Sequence, residues 1–443
     1  MLSKTFGVQI DLHYNRKTYN FSAVQLLFRK DVKSMSWGSM GTDREERINY
    51  DRMRNYRLER MKKQMKKDGI GALLSFDAWT VRYLSGAYVT IPTRWIESQA
   101  VVLPKDGDPY VFGGGSGVPY RMRNEMPWLK RKVYGMFGML KILETKEDFK
   151  PVVEAVSKIL EENGVKDEPL GIEGCSSQLI LSEAFKDAGI TIVDARHTVQ
   201  EARKIKNKDE IECVRMASAM AEAAFEDMRQ AIKPGIKECA LVGIGMKKLY
   251  ELGADECQEF VCISGPLTNP WRIDYTDRII RPGDLIIIDV NGASFNGYKT
   301  CYYRTFSCGR PTAEQKEIYD ICRDMLNNGL SAVKPGNTTL DICEKWPTDP
   351  SFWGYESWQD AVGLALGHGL GLSLHEKPFI SYPVAKRNPE KLEPGMVIAV
   401  ETWYGKWGGR DAVRLEDVVA VTETGYDLLT VWPKDELTVC WTG

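Results

Sequence analysis

The chain has 443 residues, and its 59 Lys and Arg nearly balance its 61 Asp and Glu, so the formal net charge is −2 at pH 7. This balance gives no support to a nucleic-acid-binding surface, and the longest apolar runs are well short of the roughly 20 residues that cross a bilayer. No signal-like apolar segment follows Met1, and the ten cysteines lack C-x-x-C spacing. We therefore expect a cytoplasmic protein with reduced cysteines and with two or three domains.

Residues 1–43 are interpreted as an N-terminal arm. They mix apolar with basic residues and end in a stretch rich in serine and glycine, residues 34–41. Such an arm often packs on a partner subunit, and disorder is an equal alternative. The sequence indicates no chemistry for this segment.

Residues 44–198 alternate between helical and strand patterns. Charged and apolar residues at helical spacing predict a helix over 44–67, which Asp68-Gly69 ends. The next predicted elements are a strand at 72–76, a helical turn at 79–83, a hairpin of strands 100–103 and 110–112, helices at 147–163 and 176–188, and strands at 170–173 and 190–193. This alternation predicts one N-terminal α/β domain.

One loop of this domain carries candidate substrate contacts. Residues 90–97 place Arg94 and Trp95 on a loop that contains proline. An arginine and a tryptophan in such a loop can hold a carboxylate or a cation. An ordinary loop with a packed tryptophan is the alternative.

Residues 199–443 carry a pattern that occurs twice. A long helix predicted over 208–232 ends at Lys-Pro-Gly, residues 233–235, and a helix predicted over 313–333 ends at Lys-Pro-Gly, residues 334–336. Each turn is followed by another helical stretch. The repeat suggests an internal duplication, with two weakly matching halves folded around a central site.

Two of the four histidines lie close together in the sequence. His368 and His375 are seven residues apart in a run of glycine and leucine, whereas His13 and His197 are isolated. Neutral imidazole is a common metal ligand and general base, and glycine lets the backbone approach a bound group. The segment 367–378 is therefore interpreted as an active-site wall. One core histidine plus one histidine at a strand end is the alternative.

Acidic residues accompany three predicted strands. Asp289 and Glu401 each end an apolar strand that follows a Pro-Gly turn, and Glu416 begins a β-branched run. Three strands that bring acids to one place, together with an imidazole, predict a pocket for a divalent metal. A structural network of ion pairs is the alternative.

An ordered set of motifs between residues 50 and 432 carries a family resemblance. The set comprises Glu201-Ala202-Arg203-Lys204, the two Lys-Pro-Gly turns, Gly283-Asp284 to Asp289, Gly297-Tyr298, Arg304-Thr305-Phe306, Gly367-His368-Gly369 to Pro378, Glu393-Pro394-Gly395, Glu401, and Arg414-Leu415-Glu416-Asp417. It resembles the pita-bread family of creatinase, aminopeptidase P, prolidase and methionine aminopeptidase. The resemblance implies an α/β N-terminal domain over 44–198, an α+β pita-bread catalytic domain over 199–443, and a homodimer.

Residues 264–271, Ser-Gly-Pro-Leu-Thr-Asn-Pro-Trp, resemble one branch of the family more closely. That branch holds creatinase and the DddP-type dimethylsulfoniopropionate lyases. The family's peptidases carry a further substrate-binding histidine in this region, but this chain has no histidine between residues 198 and 367. The branch resemblance therefore implies chemistry other than peptide hydrolysis.

The family's metallopeptidases hold two divalent ions with two aspartates, a histidine and two glutamates. Asp289, His368, Glu401 and Glu416 match four of these ligands, and Cys301 stands where the second aspartate is expected. Fewer carboxylates offset the repulsion between two cations less well. We expect one transition metal, Zn or Fe, with Cys301 as a thiolate ligand. A site without metal, as in creatinase, and a site with two ions are the alternatives.

The resemblance leads to a functional hypothesis for a small zwitterionic or carboxylated substrate. We expect lyase or C–N hydrolase chemistry, with His375 as acid or base and Glu401 or Glu416 as a second proton carrier. Glu376 is expected to orient His375. Arg94, Trp95, Trp271 and Tyr298 are expected to hold the substrate, with Trp271 stacking on an onium group.

Two other hypotheses remain open. One is an Xaa-Pro dipeptidase or aminopeptidase-type metallohydrolase with an altered metal site. The other is a pseudoenzyme that serves as a binding module. The persistence of both histidines and both glutamates argues against a pure scaffold, which has no physical need for a polar pocket.

Overall fold

The structure is a computed structural model that describes residues 48–87, 98–115, 117–135, 143–175 and 177–442. The predicted N-terminal arm and the candidate contacts Arg94 and Trp95 lie outside these residues.

The helices predicted over 147–163, 176–188, 208–232 and 313–333 lie near the predicted positions, whereas Val118–Glu125, Arg196–Lys204 and Tyr382–Arg387 were not predicted. The described helices are Tyr50–Lys67 (α1), Ala78–Ser85 (α2), Val118–Glu125 (α3), Lys146–Glu162 (α4), Gln178–Asp187 (α5), Arg196–Lys204 (α6), Lys208–Ala231 (α7), Glu238–Glu251 (α8), Ala313–Ser331 (α9), Thr339–Cys343 (α10) and Tyr382–Arg387 (α11). Of these helices, none has both the length and the apolar character that a bilayer-spanning segment needs.

The described strands form four sheets. They are Ala72–Ser75 (β1), Gln99–Pro104 (β2), Tyr110–Gly113 (β3), Val133–Tyr134 (β4), Leu170–Glu173 (β5), Ile192–Asp194 (β6), Glu259–Ser264 (β7), Leu285–Asn291 (β8), Ser294–Phe295 (β9), Tyr298–Lys299 (β10), Tyr303–Ser307 (β11), Ala365–Gly369 (β12), Glu376–Ile380 (β13), Val397–Gly405 (β14), Ala412–Val421 (β15), Tyr426–Leu428 (β16) and Thr438–Val439 (β17). The sheets have the strand orders β4-β3-β2-β1-β5-β6, β10-β9, β17-β11-β8-β7 and β13-β12-β14-β15-β16.

The two helices that precede the Lys-Pro-Gly turns begin in the same way. The side chains of Asn207 and Thr312 accept hydrogen bonds from the backbone N–H of Glu210 (3.0 Å) and of Gln315 (3.1 Å), forming capping boxes. After the turns the two halves differ, because α8 has 14 residues and α10 has five.

The acids of the predicted metal pocket lie along strands rather than at strand ends, so the predicted strand ends are wrong. β8 continues past Asp289 to Asn291, and β14 continues past Glu401 through Thr-Trp-Tyr to Gly405. Val290 and the Thr-Trp-Tyr run after Glu401 are strong strand formers, which explains why the strands do not stop at the acids. In the register of β14 and β15, Glu401 lies opposite Glu416.

The glycine-rich segment forms a hairpin at the edge of the five-stranded sheet. β12 pairs with β13 on one side and with β14 on the other, and the β12–β13 register shifts between His368 and Gly369. A Cβ atom on Gly369 would lie 2.0 Å from the carbonyl oxygen of Lys377, so only glycine fits there. Helix α6 packs on α1 and contacts β13, which joins this hairpin to the N-terminal half.

Candidate functional site

His368 is held in one tautomer with one free ring nitrogen. It lies on β12, is buried, and its Nδ1 is 3.0 Å from the backbone carbonyl oxygen of Gly369. Because a carbonyl oxygen only accepts, Nδ1 carries the proton and Nε2 is left as an acceptor. Burial lowers the pKa of His368 to about 4, so the ring is neutral near pH 7. A neutral ring with a free Nε2 is the form that binds a metal ion.

Cys301, His368 and Glu416 form a compact group of potential metal ligands, which we call the ligand triad. Each offers one ligand atom, these atoms all lie within 4.8 Å of one another, and all three residues are buried. Cys301 lies between β10 and β11, and Glu416 lies in the middle of β15. The triad thus combines a sulfur, a nitrogen and an oxygen atom from three segments between residues 301 and 416.

Asp289 and Glu401 adjoin the triad with different environments. One oxygen of Asp289, Oδ1, accepts a hydrogen bond from the backbone N–H of Tyr302 (3.1 Å). Burial, reinforced by the charge of Glu401, raises the pKa of Asp289 to about 8. Oε1 of Glu401 lies 3.9 Å from Nε2 of His368, while Oε2 accepts a hydrogen bond from Arg414.

Arg414 tethers Glu401 from within the core. Its guanidinium also donates to the carbonyl oxygen of Gly363 (2.7 Å) and stacks on two aromatic rings, 3.8 Å from the ring centre of Trp271 and 4.7 Å from that of Tyr303. The ion pair offsets the negative charge of Glu401, so Glu401 contributes less charge to a metal site than Glu416 does. Arg414 belongs to one of the motifs of the sequence, but no role was predicted for it.

His375 is the exposed member of the histidine pair. It lies between β12 and β13, and its ring centre is 4.2 Å from that of His368 with an angle of 51° between the ring planes. A solvent-accessible imidazole beside a buried ligand group is suited to proton transfer to or from a substrate. The structure therefore brings His368, His375, Cys301, Glu401 and Glu416 together with Asp289.

Glu376 does not have the predicted role of orienting His375. It is buried, and its carboxylate accepts hydrogen bonds from Arg203, from Lys206 (2.8 Å) and from the backbone N–H of Ser373 (3.0 Å). Although desolvation acts in the opposite direction, the charges of Arg203 and Lys206 lower the pKa of Glu376 to about 2. The carboxylate of Glu376 is thus engaged by Arg203, Lys206 and Ser373 rather than by His375, and it ties the hairpin to the end of helix α6.

Two predicted substrate contacts have structural roles. Tyr298 is buried and its hydroxyl donates to Glu210 (2.6 Å), so the prediction that Tyr298 contacts substrate is wrong. Trp271 does stack on a cation, but that cation is the guanidinium of Arg414, which occupies one face of the ring. The predicted stacking of Trp271 on an onium substrate stays a prediction and concerns the other face of the ring.

The triad residues fit a divalent ion. Within the described parts of the chain, Nε2 of His368, both carboxylate oxygens of Glu416 and Oδ2 of Asp289 are buried without a hydrogen-bond partner. Burial and the neighbouring carboxylates Glu401 and Asp289 raise the pKa of Glu416. Unpaired buried acceptors are costly, and a shared cation is the simplest partner for all of them.

Comparisons with known proteins agree with this geometry. Residues 212–423 match the model of metallopeptidase family M24, and residues 57–205 match that of the creatinase/prolidase N-terminal domain. The Xaa-Pro dipeptidase of Pyrococcus furiosus is 32% identical to this chain over 276 residues, which are 61% of this chain and 76% of that protein. This chain belongs to metallopeptidase family M24.

Other M24 proteins and structures show the same relationship. An uncharacterized peptidase of Bacillus subtilis is 32% identical over 247 residues, 55% of this chain and 67% of that protein. The crystal structure of a dipeptidase from Pyrococcus horikoshii has a TM-score of 0.70 and 25% identity, covering 86% of this chain and 99% of that chain. The predicted family and the predicted fold, an α/β domain followed by a pita-bread domain, are confirmed.

The predicted non-peptidase function is wrong. The relatives of this M24 chain carry the names of Xaa-Pro dipeptidases and other dipeptidases, which overturns the lyase or C–N hydrolase reading. The non-peptidase hypothesis depended on two differences from the family's peptidases, the cysteine at position 301 and the missing upstream histidine. Both are changes at single positions, whereas the family models match residues 57–205 and 212–423. The motifs that this chain shares with the whole family argue more strongly for a peptidase. Family M24 metallopeptidases typically use divalent metals.

Proposed function

We propose that this protein is a metal-dependent dipeptidase of the Xaa-Pro dipeptidase type. The observation that carries the proposal is the ligand triad of Cys301, His368 and Glu416, whose ligand atoms lie within 4.8 Å of one another in a buried site. Membership of family M24 and the 32% identity to an Xaa-Pro dipeptidase support it.

We infer a single transition metal ion, Zn or Fe, at the triad. A thiolate beside an imidazole and a carboxylate favours these softer ions over Mg or Mn. The pairing of Glu401 with Arg414 leaves less negative charge to offset the repulsion of a second cation. When bound, the ion would supply Lewis acidity to polarise a peptide carbonyl and to activate water.

The chain's own residues supply proton transfer and positioning. His375 is exposed and can protonate the leaving amine at a ring nitrogen. Glu401 keeps 6% of its side chain exposed, and Oε1, the oxygen that Arg414 does not bind, can take a proton from attacking water. Arg414 fixes the position of this carboxylate, and the stacked rings of Trp271 and Tyr303 fix Arg414.

The test combines metal analysis with hydrolysis of dipeptides. Wild-type protein is purified without added metal and without chelator, beside Cys301→Ala, Cys301→Asp and the control Cys322→Ser. Cys322 is buried outside the triad, where its thiol lies 3.3 Å from the carbonyl oxygen of Thr402. Hydrolysis of Ala-Pro, Ala-Leu and Ala-Phe is followed by release of the free amino acids.

We expect about one Zn or Fe per wild-type chain, its loss in Cys301→Ala, and its retention in Cys322→Ser. Dipeptide hydrolysis should follow the metal content, and Cys301→Asp should shift the preference toward ions that favour oxygen ligands. A wild-type protein that is loaded with metal but hydrolyses none of the dipeptides would overturn the peptidase proposal. Protein that binds no added Zn or Fe would overturn the metal assignment.

A further inference from the structure

An apolar cavity opens beside the two histidines. It has a volume of about 510 Å³, which lies in the range of small-molecule sites, and both His368 and His375 line it. Most of its wall is apolar and comes from the segment before β12, from β13 and from α11. The main apolar residues are Trp358, Val362, Leu366, Phe379, Ile380 and Val384.

Some of these apolar side chains are strongly exposed. Val362 is 70% exposed, and Phe379 is 47% exposed although it lies opposite His368 in the β12–β13 register. Apolar side chains that converge on a cavity while open to water mark a binding surface, because covering them releases ordered water. An apolar ligand group would cover them at a point adjacent to the proposed reaction site.

One cation stands at the wall of this cavity. Arg387, the last residue of α11, lines it, and Nε of Arg387 donates to the carbonyl oxygen of Pro383 (3.2 Å). Across the described residues, this hydrogen bond is the polar contact of its guanidinium, and it forms no ion pair with a carboxylate. An exposed guanidinium without a counter-ion can bind a carboxylate through two parallel hydrogen bonds.

We propose that this cavity binds the C-terminal residue of the dipeptide substrate, with a large apolar side chain in the cavity and the terminal carboxylate on Arg387. The proposal rests on the peptidase function proposed above. Because the exposed side chains of Val362 and Phe379 line a volume of about 510 Å³, aromatic and long aliphatic residues would cover more of this apolar surface than proline does. The peptide bond would then lie beside His375, which also lines the cavity.

The test uses ligands without a peptide bond, so that binding is measured independently of hydrolysis. Calorimetry compares 3-phenylpropanoate with 3-phenylpropanamide, which lacks the charge, and with cyclopentanecarboxylate, which has a smaller ring. The proteins are wild type, Arg387→Met, Val362→Asp and the control Lys386→Met. Lys386 neighbours Arg387 on α11 and lies 5.4 Å from the ring centre of Tyr382.

We expect wild type to bind 3-phenylpropanoate at least about tenfold more tightly than the amide or the smaller acid. Arg387→Met should abolish the preference for the acid over the amide, and Lys386→Met should retain it. Val362→Asp should weaken binding of all three ligands. Equal binding of acid and amide by wild type, or a preserved preference in Arg387→Met, would overturn the proposal.

The two proposals fail in different ways. Hydrolysis of Ala-Pro by a protein that binds no 3-phenylpropanoate would leave the dipeptidase function standing and overturn the assignment of the cavity. Binding of 3-phenylpropanoate that depends on Arg387, without hydrolysis of any dipeptide, would leave the cavity assignment standing and overturn the peptidase function.

Discussion

Glu401 and Glu416 lie directly opposite each other on neighbouring antiparallel strands, and among the described residues only Glu401 has an arginine partner. Like charges in such cross-strand pairs repel. Arg414 pairs with Glu401 and so reduces the repulsion between the two carboxylates. Among the described residues, neither carboxylate oxygen of Glu416 has a hydrogen-bond partner. The asymmetry distinguishes a carboxylate that is positioned by an arginine, Glu401, from a candidate metal ligand, Glu416.

Replacement of Arg414 is expected to destabilise the fold. Arg414→Met leaves the buried charge of Glu401 unpaired, and we expect a loss of about 3–5 kcal/mol in the free energy of unfolding, measured by urea denaturation. The double variant Arg414→Met/Glu401→Gln should recover part of this loss because it removes the unpaired charge. Arg215→Met is the control, since Arg215 is a surface residue with 40% side-chain exposure. Equal stability of Arg414→Met and Arg215→Met would contradict the role of the tether.

Glu376 should make the protein sensitive to acid. Its pKa is lowered to about 2 in the folded chain, so its stabilising contribution is complete above the unfolded pKa near 4.5 and is lost as the pH falls toward 2. Glu376→Gln should cost about 3–5 kcal/mol near neutral pH, because Arg203 and Lys206 lose their counter-ion. The difference between the two proteins in urea denaturation should shrink below pH 4.5. A difference that does not change with pH would rule out the ion pair as its source.

Glu173 should change the pH dependence of stability in the opposite direction, so that stability falls as the pH rises. Burial and the charge of Asp77 raise the pKa of Glu173 to about 7, although Ser75 donates a hydrogen bond to it (2.5 Å). A raised carboxyl pKa means that its contribution to stability is complete below pH 4.5 and is lost as the pH rises through 7, by on the order of 3 kcal/mol. In Glu173→Gln the fall in unfolding free energy between pH 4.5 and 8 should be smaller than in wild type. Parallel stability profiles of the two proteins would show that the prediction is wrong.

Zinc should stabilise the folded state through the ligand triad. An ion that binds only the folded chain adds about 2.7 kcal/mol at a free concentration 100 times its Kd. The melting temperature of wild type should therefore rise with added zinc, and Cys301→Ser should show a much smaller rise. Cys322→Ser should respond as wild type does. A similar rise in wild type and in Cys301→Ser would exclude Cys301 as a ligand.

Much of the fold follows from patterns in the sequence. The helices before the two Lys-Pro-Gly turns, the first hairpin and the apolar strands β8, β14 and β15 were predictable because their periodicity and turn residues are strong. The histidine hairpin β12–β13 was not predicted as strands, since its glycines weaken the strand signal and its bulge is fixed by the close approach of Gly369 to the backbone of Lys377.

The site was predictable in its membership but less so in its roles. Asp289, His368, Glu401 and Glu416 could be named from motifs in the sequence, and Cys301 because it stands where the resemblance to the family implies a second aspartate. The partners of Glu376, Tyr298 and Trp271 could not be named, since Arg203, Glu210 and Arg414 are distant in sequence and meet them only through tertiary packing. The domain boundary at 198/199 and the homodimer stay predictions.

The buried ion pairs of Glu376 with Arg203 and Lys206 also limit where the chain can be cut into shorter proteins. The two family matches end at residue 205 and begin at residue 212, which invites a cut between them. A cut there would separate Glu376 from Arg203, and a cut after Lys206 would leave it as a buried anion without either counter-ion, next to His375 in the chain. The catalytic half is therefore not an independent enzyme module, and any shortened version should keep the chain from α6 onward.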